Sequence, residues 1–376
     1  MSNSFRLAII SSTPYAPPWN EGVINLIRRI AHDLKQRGNQ VTIITPLPKN
    51  PLSPDATSEN VVYASRIPDL SGPLRRMALI RAWFTTSWVL RQLDPEPQVV
   101  LLITSVFSTL GFRTQLIKLF CAKPLLLYVT GLGKPRVGYK LGLQADRILV
   151  GTEFLQRWFP EAGVINPFIP IHLTNSKIAK SARLADCFTL LFLGSFERQR
   201  GVETLLRATA LAKGRTTKRI RLIIAWNGAG ADNRQNILDV IELLQIGSII
   251  DLRGQVDTCQ IYAEADVVVI PRISEERMAF PVRLVESLNM NVPVIVSRIC
   301  GMETLVEGWG LSVEPGNAEM LAQAILTMLE DTLLYKQLQE NCYKVKQKYD
   351  TQAGLTQLEN ELRGLTKMIE KQCEGL

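Results

Sequence analysis

The stretch Pro271 to Glu286, PRISEERMAFPVRLVE, places an arginine and a glutamate three residues apart, at Arg283 and Glu286. On a helix that spacing puts both side chains on one face. A guanidinium there could hold a phosphate and a carboxylate could grip a ribose diol, a pairing that suits a nucleotide diphosphate. The same spacing also describes an ion pair on a solvated helix face, and by itself it favours that plainer reading. Pro281 fits the first helical turn, where its missing N–H does no harm. Two glycine-rich turns carry related chemistry. GSFERQRG follows Leu193 and NGAGADN follows Trp226, each ahead of a helical pattern. Glycine lets backbone approach a ligand, and a helix N-terminus favours an anion. Arg198 or Arg200 would add a phosphate contact.

These loops need strands to carry them. Leu7 to Ile10 is a short apolar run, followed by Val23, Ile27, Ile30 and Leu34 at helical spacing up to Gly38, then an apolar run at Val41 to Thr45. That is a β-α-β unit. Further strands are expected at 99–103, 125–129 and 147–150. The alternation resumes with strands at 189–193, 221–225, 249–252, 266–270 and 293–296. Helices fit 202–212, 233–244, 258–263, 282–290 and 318–329. Residues 165–187 break the rhythm and read as a linker and hinge. The pattern predicts an α/β fold of two doubly wound Rossmann-like domains facing a central cleft. The expected domains are 1–170, 171–350 and a closing C-terminal helix over 351–376.

The chain has 376 residues, 46% of them hydrophobic, with a net charge of +8. The charge is lopsided. Residues 1–164 hold 19 Lys+Arg against 10 Asp+Glu, and the remainder 24 against 25. The first half would therefore meet something anionic, or simply be a solvated basic surface. Six scattered cysteines read as reduced core residues, and two histidines make a histidine zinc site or serine triad improbable. No apolar run reaches a membrane span and the start lacks a leader pattern, so a cytoplasmic protein is expected.

The ordered motifs resemble those of the family-four, or group-one, retaining glycosyltransferases, whose fold is of GT-B type. GSFERQRGVETLLRA is similar to the family's phosphate loop, with Arg200 at its lysine position. LRGQV resembles the stretch beside the nucleobase, IYAEADVVVIPRIS the strand leading to the donor, and FPVRLVESLNMNVPVIVS the Pro-x-Lys-x-x-Glu helix with its strand. PPWNEGVINLI resembles the first-domain loop whose glycine approaches the diphosphate. The resemblance implies that Arg200, Arg283 and Glu286 carry the chemistry, with Glu286 on the ribose hydroxyls and the arginines on the diphosphate. It implies further donor contacts at Gly22, Gly194, Ser195, Gly228, Gly254, Val256, Phe280 and Pro281. The implied reaction moves a sugar, with retention, from a nucleotide-diphosphate sugar to a hydroxyl of a sugar or lipid-linked acceptor, in polysaccharide or glycolipid assembly. No Asp-x-Asp pair is present, so neither metal nor other cofactor is expected.

Three positions depart from the family pattern. Met278 stands where the first motif glutamate would be, Ser195 where an arginine is frequent, and YVTGLGKP lacks the first-domain histidine. They support a rival reading, a catalytically silent nucleotide-sugar-binding homologue or partner subunit. A sugar epimerase of the same fold is a third option. The helix expected over 73–93 also has two readings. Arg75, Arg76, Arg81 and Arg91 with Trp83, Phe84 and Trp88 would suit peripheral contact with an anionic membrane at its inner face. Alternatively, Leu74, Met77, Ile80, Phe84 and Trp88 form a stripe that packs on the sheet, and this is the favoured expectation. No nucleic-acid-reading motif is present.

Overall fold

The computed structural model describes residues 4–11, 15, 22–47, 60–66, 72–106, 110–132, 142–165, 186–226, 233–254, 256, 258–275, 278–279, 282–349 and 351–374. In chain order these form β1 (Arg6–Ser11), α1 (Gly22–Gln36), β2 (Gln40–Leu47), β3 (Asn60–Arg66), α2 (Gly72–Arg91), β4 (Val99–Val106), α3 (Leu110–Phe120), β5 (Leu125–Leu132), β6 (Arg147–Val150), α4 (Glu153–Gln156) and β7 (Gly163–Val164). There follow β8 (Cys187–Gly194), α5 (Val202–Arg215), β9 (Arg219–Trp226), α6 (Arg234–Leu243), β10 (Ile250–Arg253), α7 (Thr258–Glu264), β11 (Val267–Ile270), β12 (Met278–Ala279), α8 (Val282–Asn289) and β13 (Val294–Ser297). The chain closes with α9 (Met302–Leu305), β14 (Gly310–Val313), α10 (Ala318–Glu330), α11 (Thr332–Lys346) and α12 (Thr351–Glu374).

The chain divides into two compact units, one comprising Met1–Ile171, Arg277–Phe280 and Asp350–Leu376, the other His172–Glu276 and Pro281–Tyr349. The first unit is a sheet ordered β3-β2-β1-β4-β5-β6-β7, parallel along that path, with β12 antiparallel on β5. Alternate residues of β1 serve opposite faces. Leu7 and Ile9 join a core with Ile27, Ile30 and Leu34 of α1 and Leu355, Leu358 and Leu362 of α12. Ala8 and Ile10 join another with Leu90 of α2 and Ile117 of α3. Continuous apolar strands are what a sheet covered on both faces requires. The terminal helix belongs to this unit through packing and charge. Arg37 reaches Glu359 at 2.8 Å, and Arg147 holds Glu361 with two hydrogen bonds of 2.9 and 2.7 Å.

The second unit is a parallel sheet ordered β10-β9-β8-β11-β13-β14. From β8 the chain winds one way through β9 and β10, and from β11 the other way through β13 and β14. The order therefore reverses between β8 and β11. In such sheets a ligand crevice opens beyond the carboxyl ends at the reversal.

Sequence reading places most strands within one to three residues of their observed ends, but β3, α3 and β14 escaped it. The stripe on α2 is a correction. Met77, Ile80, Phe84 and Trp88 do not pack on the sheet; they are 67%, 45%, 48% and 49% exposed. The buried face carries Ala82, Thr86, Ser87 and Leu90 instead. Small side chains let the helix lie close to the sheet, and its hydroxyls are satisfied locally: Thr86 donates to the Ala82 carbonyl at 2.7 Å and Ser87 to that of Trp83 at 2.9 Å. Cys121, Cys300 and Cys342 are buried free thiols, while Cys187 is only half-buried. Of the expected hinge over 165–187, residues 166–185 lie outside the described residues.

Candidate active site

The phosphate-loop sequence follows β8 at its carboxyl end. Gly194 closes the strand; Ser195, 3% exposed, donates its hydroxyl to Glu197 Oε2 at 3.1 Å. Arg198–Arg200 make a single 3-10 turn, and Gly201 at φ +73° starts α5. Glycine is required there twice over. The left-handed backbone disfavours a side chain, and a Cβ would stand 1.7 Å from the Pro271 carbonyl oxygen. The loop is pinned to the segment after β11, because Ile273 N–H donates to the Gln199 carbonyl at 3.2 Å. On its other side Asn233 donates to the Phe196 carbonyl at 3.0 Å, and Phe196 stacks on Trp226 with ring centroids 5.0 Å apart. The loops after β8 and β11 thus lie side by side at the reversal of strand order.

Two arginines meet at that seam. Arg200 ends the 3-10 turn, 3.9 Å from Glu197. Burial pulls its pKa below the ordinary arginine range; Glu197 opposes this and Arg283 adds to it. Arg272, directly after Pro271, is 3% exposed. Burial, reinforced by the neighbouring Arg200 charge, brings its pKa down to about 10. Arg272 therefore remains cationic near neutral pH, and the charges of the two arginines oppose each other. Neighbouring buried guanidiniums of like charge are an arrangement that a bound anion would stabilise. Sequence reasoning missed Arg272. Its signal was a cation two residues past the apolar strand Val267–Ile270, just beyond the strand's carboxyl end.

The Arg283–Glu286 pair lies on α8, and it is not the solvated pair that spacing favoured. Glu286 is 1% exposed. Its Oε2 accepts from Arg283 Nη1 at 2.5 Å and from the Tyr262 hydroxyl of α7 at 2.8 Å. Among the described residues no hydrogen bond falls on Oε1. Burial disfavours the Arg283 charge, but Glu286 and Tyr262 outweigh that, and its pKa is raised. Burial, with the Glu286 charge beside it, holds the Tyr262 phenol well above its usual range, so it stays a donor. Leu284, Val285 and Leu288 bury the other side of α8, and Ser287 donates to the Val292 carbonyl at 2.7 Å, fixing the helix to the approach of β13.

The other expected contacts distribute as follows. Gly254, exposed, and Val256, half-buried, follow edge strand β10; Arg253 before them is bound to Asp251 and Glu264. Gly22 is the first residue of α1 in the first unit. Gly228, Phe280 and Pro281 lie outside the described residues. Met278 sits on β12 opposite Leu132. A cavity of about 670 Å³ beside the phosphate loop is lined by Glu197, Arg198, Gly201, Asn233 and Ile273, among others, but by none of Arg200, Arg283 and Glu286. A larger one, about 950 Å³, runs along α12 past Arg37 and Asp146, at the amino ends of β2 and β6. That is the end opposite to where parallel sheets bind ligands. Among the described residues no cluster of three His, Cys, Asp or Glu side chains could hold a metal.

Fold and site define an α/β protein of GT-B type. Solved structures of that architecture superpose on nearly the whole chain. Sucrose-phosphate synthase from Thermosynechococcus elongatus gives a TM-score of 0.76 at 19% identity, covering 96% of this chain and 99% of that one. HepE from Anabaena, in complex with UDP and glucose, gives 0.73 at 15% identity, covering 96% and 99%. At such identities the likeness shows the fold. Sequence adds a similarity in the second unit: residues 187–331 match the model described as Glycosyl transferases group 1. D-inositol 3-phosphate glycosyltransferase from Corynebacterium aurimucosum is 26% identical over 176 residues, 45% of this chain and 41% of the relative. An uncharacterized glycosyltransferase from Methanocaldococcus jannaschii is 31% identical over 166 residues, 43% and 40%. The chain thus spans well under half the length of these curated relatives.

Proposed function

We propose that this protein transfers a sugar, with retention of anomeric configuration, from a nucleotide-diphosphate sugar to a hydroxyl of a sugar or lipid-linked acceptor, in polysaccharide or glycolipid assembly. The observation that carries the reading is the convergence of Arg200, Arg272 and the Arg283–Glu286–Tyr262 group beyond the carboxyl ends of the second sheet. HepE, of the same fold, binds UDP and UDP-glucose, which supports a nucleotide-sugar donor.

In this reading Glu286 Oε1 accepts from a ribose hydroxyl while Oε2 stays engaged by Arg283 and Tyr262. Arg200 and Arg272 face the diphosphate. Fixed guanidiniums need no proton transfer and are already oriented when the glycosidic bond breaks, so they stabilise the departing charge. The leaving phosphate oxygen takes the acceptor proton on the same face of the sugar. No metal or other cofactor enters this scheme.

The test is turnover. Incubated with UDP-, GDP- and ADP-sugars plus sugar and lipid-linked acceptors, the protein should release nucleotide with one donor and give a product of unchanged anomeric configuration by NMR. Tight nucleotide binding with no release from any donor would favour a silent binder, the reading that Met278 supports.

A further inference from the structure

The outward face of α2 goes beyond the proposed reaction and does not depend on it. Met77, Ile80, Arg81, Phe84, Trp88 and Arg91 recur at helical spacing and all are exposed. Alongside, α3 exposes Phe112 (43%) and Leu119 (75%), seven residues apart and therefore on one side of that helix. Phe120 joins the two helices, its ring edge-on to Phe84 at 4.8 Å and to Trp88 at 6.1 Å. Six large apolar side chains on two adjoining helices far exceed the scattered exposure usual on a protein surface. Charge narrows what covers them. α2 carries four arginines, Arg81 and Arg91 among them exposed, and neither helix contains an aspartate or glutamate; on α3 Arg113 is buried and Lys118 is paired with Asp146. Two copies of this face would bring like charges together. No helix among the described residues is long and apolar enough to cross a bilayer.

We infer that the α2–α3 face of the first unit docks on an anionic lipid bilayer surface, with Met77, Ile80, Phe84, Trp88 and Leu119 entering the interfacial zone and Arg81 and Arg91 meeting the headgroups. Aromatic and aliphatic side chains flanked by arginine are what that zone accepts.

The experiment is co-sedimentation of the full chain with vesicles of phosphatidylcholine alone and of phosphatidylcholine mixed with phosphatidylglycerol. The expected result is binding to the anionic vesicles only, weakened by added salt. Removing each arginine, as in Arg81→Gln and Arg91→Gln, lowers partitioning by about fivefold per residue. Ile80→Gln with Trp88→Gln lowers it further. Leu243→Gln with Leu333→Gln, at still more exposed apolar positions of the second unit (72% and 83%), leaves it unchanged. As a readout that keeps the surface apolar, brominated lipid quenches wild-type tryptophan fluorescence, and Trp88→Phe loses most of that quenching. Equal binding to both vesicle types, no effect of the α2 substitutions in variants with wild-type circular dichroism, or concentration-dependent dimerisation abolished by the same substitutions would overturn the inference.

Discussion

The two units share one plan, a parallel sheet with helices on both faces, yet each has its own marked departure from the ordinary inside–outside rule. The second unit draws charge inward: Arg272 and Glu286 are almost wholly buried beyond its strand ends. The first unit pushes apolar side chains outward along α2 and α3. Buried charge and exposed apolar surface are the informative departures from the default. The comparison teaches that each has its own reader. In the proposed function the guanidiniums of the second unit meet a diphosphate, and in the further inference the aromatic face of the first meets a bilayer surface.

The strongest way to break this contrast is at Glu286. Glu286→Ala leaves Arg283 and Tyr262 without their shared acceptor, and a broken buried pair costs about 3–5 kcal/mol of stability. Urea unfolding measures it. A loss below about 1 kcal/mol would make the pair an ordinary surface contact. Glu286→Gln keeps an acceptor for Tyr262, so it should fold and instead weaken nucleotide affinity by about 1–3 kcal/mol.

Arg200→Ala sharpens the comparison next. Turnover should drop about 100- to 1000-fold, the effect of deleting one fixed charge stabiliser, while nucleoside affinity changes little. Equal effects on both would remove its leaving-group role. Gly201→Ala follows, because the left-handed backbone alone costs about 1–2 kcal/mol and the Pro271 carbonyl adds a clash. A lowered melting temperature together with lost turnover is expected; an unchanged protein would mean the loop after β8 is not clamped to that after β11.

The smallest effect concerns acid. Arg253 holds the Glu264 carboxyl below its ordinary 4.5. The folded pKa is depressed, so this stabilisation is fully present above 4.5 and fades as pH falls through the lower folded value. Glu264→Gln should flatten the acid limb of the stability curve below pH 4.5 and leave the first unit's surface behaviour untouched.

Much of this was legible in the sequence, for stated reasons. Continuous apolar runs such as LAII and VVVI announced buried parallel strands, and glycine before a helical pattern announced the tight turn after β8. Short β14 and exposed-sided α3 carry no such contrast. The Arg283–Glu286 pairing was legible from its spacing, yet the burial of Glu286 was not, because Tyr262 reaches it from a helix 24 positions away in sequence. Arg272 was hidden likewise, since its neighbour Arg200 lies across the sheet reversal. On α2 the apolar spacing was read correctly and its direction wrongly. Periodicity defines a stripe, whereas the small residues Ala82, Thr86 and Ser87 decide which side can approach the sheet.

The central claim, that guanidiniums at the seam of β8 and β11 hold a nucleotide's diphosphate, is tested most directly by calorimetric titration. The ligands are whichever of UDP, GDP and ADP binds the wild type, and the matching nucleoside, titrated against Arg200→Ala and Arg272→Gln. The account predicts at least a tenfold loss of affinity for the diphosphate in each variant, with nucleoside affinity retained. Equal losses for both ligands, or none for either, would contradict it.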